Sequence, residues 1–138
     1  MNKITEQEKK ELIILHRALV MGAFFIMAII TFVLVKPDFS DFNFELDILH
    51  MAGIVIAIIS PVVGFIASKK QLSIIDKSKL TQENYNIFRA AHLQKWATLE
   101  GPVLINTILF FLSKSALLLY VAITIWLVLI RSAPNFDN

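Results

Sequence analysis

The chain has 138 residues, 57% of them hydrophobic, and a mean hydropathy of +0.68. A soluble domain carries roughly 45–50% apolar residues, so this composition excludes an ordinary soluble fold and points to the lipid bilayer. A net charge of +2, no cysteine and three histidines argue against nucleic-acid binding, disulfides, thiolate chemistry and a histidine-rich metal centre.

Four apolar runs follow one another. The first, residues 18–35 (ALVMGAFFIMAIITFVLV), and the second, 48–68 (ILHMAGIVIAIISPVVGFIAS), match the ~20 residues needed to cross ~30 Å of hydrocarbon. The first lacks a small-residue cleavage site and is expected to stay as an anchor. Between them, KPDFSDFNFELD (36–47) interleaves Asp38, Asp41, Glu45 and Asp47 with Phe39, Phe42 and Phe44. Its acids lack the spacing of a calcium loop, so it reads as a solvated connection with its rings on the membrane surface.

The third run, 97–112 (ATLEGPVLINTILFFL), and the fourth, 116–130 (ALLLYVAITIWLVLI), are short and must borrow flanking turns. Thr81 before Gln82-Glu83 reads as a helix start, and Tyr85, Phe88, His92, Trp96 and Leu99 recur at spacings of three and four. One continuous helix from about residue 82 to 112 is therefore predicted, interfacial in its first part and inserted in its second. Only Ser113-Lys114-Ser115 separates the last two runs, which predicts a tight antiparallel hairpin.

Basic residues orient the spans. Lys3, Lys9, Lys10 and Arg17 precede the first; Lys69, Lys70, Lys77, Lys79, Arg89 and Lys95 occupy the connection 69–96; Arg131 follows the fourth. These eleven fall on one side, against Lys36 and Lys114 on the other. The expected fold is an all-α membrane protein: one four-helix transmembrane domain over 1–138, built from two antiparallel hairpins. It is multi-pass in a bacterial inner membrane, with both termini cytoplasmic.

The first and third runs echo each other. RALVMGAFFIMAII (17–30) aligns without gaps on WATLEGPVLINTIL (96–109), with Met21 opposite Glu100. A duplicated hairpin in parallel orientation and chance similarity between apolar helices both account for this. Gly22, Gly64 and Gly101 all fall ~6–9 Å inside the cytoplasmic boundary, and small residues let helices approach closely in lipid. They predict one tightly packed layer, with Trp126 near the same level.

Glu100 is the sharpest candidate, because a carboxylate within a span is costly and faces protein or water. Pro102 cannot donate to the Thr98 carbonyl and predicts a kink; with the Thr98 hydroxyl and Glu100, that freed oxygen offers ligands for a proton or small cation. Pro61 frees the Ala57 carbonyl in the same way, beside Ser60. The structural reading is preferred: Glu100 lies one turn inside the boundary, where Arg17 is expected to pair with it. His92, two turns before Glu100, and His16 suggest a proton route or half a metal site, but no further ligands are apparent. Both, like His50 at the other end of the second span, are expected as interfacial residues with their polar tips in the headgroup layer. Asn106, with Thr107 beside it, is expected to bond across to another helix, worth about 0.6–2 kcal/mol. No phosphate loop, nucleophile elbow or metalloprotease motif occurs, and no cofactor is expected.

The frames HRALVMG (16–22) and LQKWATLEGPVL (93–104) resemble a family of small four-span membrane proteins of Bacteroidota-type bacteria without an assigned function. That pattern has Ala-Leu-x-x-Gly opening the first span and Ala-x-x-Glu-Gly opening the third; Pro102 stands where it has a small residue. A fainter likeness is to the rotary ATP synthase proteolipid, which has hairpins of this size and one intramembrane carboxylate. There the carboxylate is mid-membrane on a hairpin's second helix and the first helix is glycine-rich, so its ion-binding role does not carry over to Glu100.

The function expected from these readings is that of a non-catalytic membrane subunit or interaction protein, in contact with the bilayer and assembling as a homo-oligomer or with a larger complex. The alternative is a proton- or cation-linked transporter or channel component using Glu100, and a membrane enzyme comes third.

Overall fold

The computed structural model describes residues 5–36, 47–75 and 82–134. Most of the acidic connection between the first two runs, including all three of its phenylalanines, lies outside them, as do Lys77, Lys79 and Thr81. The described residues form helices and their caps, with no strand.

Helix α1 spans Glu6–Ile29, so it begins well before the apolar run. The Thr5 hydroxyl accepts the Glu8 N–H at 3.2 Å, and the Glu8 carboxylate takes the Thr5 N–H at 2.8 Å. This reciprocal capping satisfies two end groups that a bare helix terminus leaves open. From Ile30 to Val35 the coil widens into a π-helical segment. Lys36, left-handed at φ 49°, ends it by donating its N–H to the Thr31 carbonyl at 2.8 Å.

Helix α2 spans Ile48–Ser73 and is capped by Asp47; α3 spans Gln82–Ser113; α4 spans Ala116–Arg131. Pro61 and Pro102 lie inside α2 and α3, and neither ends its helix. Lys114, at φ 58°, makes the turn into α4. Three stretches are long and apolar enough to cross a membrane: Glu6–Val35, Ile48–Ser73 and Asn84–Ser113; α4 is a shorter apolar helix.

Helix α3 is the hub. Against α2 it runs antiparallel, with Asn106 beside Gly53 and Thr98 beside Gly64. Against α4 it is also antiparallel: Trp96 reaches Ser132 at one end, and Phe110 packs on Leu118 and Leu119 at the other. Helix α1 lies parallel to α3, with His16 by Trp96, and Ala23 and Met27 clustered with Val103 and Ala122.

One expectation needs correction. Among the described residues no Cα of α1 lies within 8 Å of one in α2, so the first two helices do not pack as a hairpin. The cause is where each helix keeps its packing face. Helix α2 sets Gly53 and Gly64 against α3, whereas α1 buries Leu12, His16, Ala23 and Met27 against α3 and α4. The two therefore dock separately on a common partner.

The distribution of polarity is the reverse of a soluble bundle. Phe32 is 68% exposed and Ile66 65%, while Asn106 and Thr107 are fully buried. Water would penalise such an outer face at about 25 cal/mol per Å² of apolar surface.

Candidate functional site

Around Glu100, none of the residues singled out by sequence bonds to its carboxylate among the described residues. Arg17 is exposed, and no ion pair joins it to Glu100 among the described residues. The pairing expectation fails on helix geometry. Each residue turns the helix by ~100°, so Arg17 points away from the face on which its neighbour His16 is buried. The parallel register, with His16 at Trp96, also lifts Glu100 a turn beyond Arg17.

The proposed oxygen ligands of Thr98 are both engaged. Its hydroxyl donates to the Lys95 carbonyl at 2.8 Å, and its carbonyl accepts the Ser60 hydroxyl of α2 at 2.8 Å. Ser60 thus supplies the donor that Pro102 withholds, which explains how α3 tolerates a proline at this depth. No group of three or more His, Asp or Glu that could hold a metal ion occurs among the described residues.

The glycine layer is also corrected. A methyl group at Gly22 or Gly101 would meet nothing within 4 Å, so neither draws helices of this chain together. At Gly64 it would collide with the Thr98 hydroxyl. At Gly53, which sequence reasoning missed, it would collide with the Asn106 side-chain oxygen and lie 2.8 Å from Leu118 Cδ2. Asn106 bridges helices there, donating from Nδ2 to the Gly53 carbonyl at 3.1 Å and to the Pro102 carbonyl at 2.9 Å. Its buried Oδ1 has no partner among the described residues. Thr107 donates to Val103 within its own helix at 2.7 Å.

His16 and His92 are buried rather than tipped into a headgroup layer, because both rings pack on Trp96. His16 Nε2 lies 2.7 Å from the Leu129 carbonyl and His92 Nδ1 lies 3.0 Å from that of Phe88. Trp96 in turn donates to the Ser132 carbonyl at 2.9 Å. One level up, Trp126 donates to the Val20 carbonyl at 2.9 Å and stacks on Phe24. At the N-terminal end of α3, Glu11 accepts from the Tyr85 hydroxyl at 2.8 Å and pairs with Arg89 at 3.1 Å.

The opposite end of the bundle holds a second polar group. Asp47 Oδ1 accepts the His50 N–H at 2.8 Å and lies 2.6 Å from His50 Nδ1; His50 Nε2 lies 2.8 Å from Ser115 Oγ. His50 is buried at the start of α2, so it is not an interfacial side chain with its tip in solvent. Its N–H and imidazole hold the Asp47 carboxyl below the ordinary carboxylate range. The sequence carried one signal for this group, an Asp three residues before a His at a helix start; nothing in it pointed to Ser115.

Comparison with protein-family models, with curated proteins and with solved structures returns no match. The class of protein is therefore defined by the fold alone: an all-helical bundle with three helices long and apolar enough to span a membrane.

Proposed function

We propose that the chain is a four-span integral membrane protein of a bacterial inner membrane, with both termini cytoplasmic. In this reading its bundle is a scaffold that packs against a second copy or a larger membrane complex. The observation that carries it is the direction of polarity. Apolar side chains of α1, α2 and α3 face outward, while Ser60, Asn106, His16, Trp96 and Trp126 turn inward to bond between helices. An interior in which these groups bond mainly to one another, with the Asn106 Oδ1 left over, suits a scaffold better than a conduit. Helix α1, which buries few residues and leaves Met21 and Phe25 outward beside Gly22, is the face on which a partner helix would seat. Extraction in a mild detergent followed by native mass measurement tests this. A stable dimer or larger assembly is expected, and a strictly monomeric protein at membrane-like concentration overturns it.

A second reading keeps one observation in its favour. Glu100 is half-buried and has neither an ion pair nor a hydrogen bond among the described residues, which leaves its carboxylate open to take up a proton or small cation. Purified protein in liposomes would then pass protons or small cations, and Glu100→Gln would abolish the flux; equal flux in both removes Glu100 from the pathway.

A further inference from the structure

Ser115 is the N-cap of α4, a position at which serine ordinarily accepts a hydrogen bond from its own helix. Here its side chain makes no capping bond. Its hydroxyl faces His50 Nε2 instead, 2.8 Å away across the bundle on α2. With Asp47 ionised and the imidazole neutral, the hydrogens of this group follow from what each atom can do. An ionised Asp47 carboxylate only accepts, so His50 Nδ1 must donate across the 2.6 Å contact. In a neutral imidazole Nε2 is then an acceptor, and the Ser115 O–H must donate to it.

That is the protonation pattern of an activated serine: hydroxyl to imidazole to carboxylate, with each member within hydrogen-bond reach of the next. The neighbouring backbone adds the other element the chemistry needs. Leu118 donates its N–H to the Ser115 carbonyl at 3.2 Å, which leaves the Ala116 and Leu117 N–H groups at the positive end of the helix dipole, beside the hydroxyl. Asp47 is itself fixed as the cap of α2 through the His50 N–H, so the carboxylate that orients the ring cannot swing away. Ser115 is half-buried, and Ile48 (83% exposed) and Met51 (52%) offer an apolar surface on the same end of α2.

We propose that Ser115 is the nucleophile of an acyl-transfer site, with His50 as general base and Asp47 as its positioning residue, acting on esters of apolar acyl chains. The Ser115 oxygen forms a bond to the acyl carbon as its proton passes to His50 Nε2. The ester C–O bond then breaks, and the departing alcohol takes that proton. Water, deprotonated by the same imidazole, attacks the acyl-serine and releases the carboxylic acid, restoring the serine. Atoms balance with ester and water as the only reactants.

The test uses the full chain in detergent micelles with a long-chain alkyl fluorophosphonate, followed by intact mass and peptide mapping. One phosphonyl adduct on Ser115 is expected, absent in Ser115→Ala and formed at least about 100-fold more slowly in His50→Gln, the scale of general-base catalysis. Asp47→Asn retains a capping side chain and separates orientation from folding: it should slow labelling while the helical circular dichroism stays unchanged. An unlabelled wild-type protein with native helicity overturns the proposal, as does an adduct that persists in Ser115→Ala. Hydrolysis of p-nitrophenyl decanoate above the Ser115→Ala background is also expected, faster than that of the acetate. Equal rates for the two esters overturn the apolar-acyl specificity.

Discussion

Gly64 and Gly22 separate two uses of the same residue. At Gly64 a methyl group would fall on the Thr98 hydroxyl and near its Cβ, so α2 and α3 must part or Thr98 must give up its bond to Lys95. Gly64→Ala should therefore cost about 1–3 kcal/mol by overpacking, whereas Gly22→Ala should change stability by less than about 0.5 kcal/mol. Unfolding in mixed micelles measures both; equal losses would refute the assigned geometry. The Ser60–Thr98 bond makes a sharper claim. Removing the Ser60 hydroxyl strands the carbonyl that Pro102 leaves without its helical donor, at a cost of about 1–3 kcal/mol. In a Pro102→Ala background the helix supplies that donor itself. A double-mutant cycle should therefore show Ser60→Ala becoming milder by roughly 1 kcal/mol.

At the scale of elements, most of what the sequence displays is helix length. The run from Tyr85 through Leu99 predicted that the third span continues outward, and α3 is one helix over Gln82–Ser113. Helix faces were less legible. Arg17 and Glu100 sit within about a turn of each other at the predicted boundary, but whether they meet depends on rotation about two axes, which depth does not encode. Glycines misled for the same reason: Gly22 and Gly101 have the right depth and the wrong face, while Gly53 packs against Asn106 from a level at which no alignment drew attention to it. Hydrogen bonds between helices, such as Trp126 to Val20, involve backbone carbonyls and leave no mark in residue type. The cap of α2 was partly legible, and it carries a pH dependence. Hydrogen bonds from His50 depress the Asp47 carboxyl, so the ionised form stabilises the fold. This contribution is complete above the unfolded carboxylate value of about 4 and disappears as pH falls through the lower folded value. Thermal stability should accordingly fall below about pH 4 less steeply in Asp47→Asn than in the parent chain; parallel pH profiles would contradict it.

For the whole molecule, the natural absence of cysteine makes orientation directly measurable. A single cysteine at Lys114 should react with an impermeant maleimide added to intact cells. One at Lys70 should react only after the membrane is opened; the opposite pattern inverts the topology and, with it, the side on which Ser115 works.

The separate docking of α1 and α2 has a consequence for how the protein is made. Both helices leave the ribosome before α3 exists, and neither has a surface on which the other rests. At roughly 5–20 residues per second, α1 waits on the order of 10 s for the helix that will hold it. In the membrane setting proposed above, it must persist during that interval by its own apolar length, open to capture by another chain. The assembly proposed above would therefore begin most readily during synthesis, while the binding surfaces of α1 are still unclaimed.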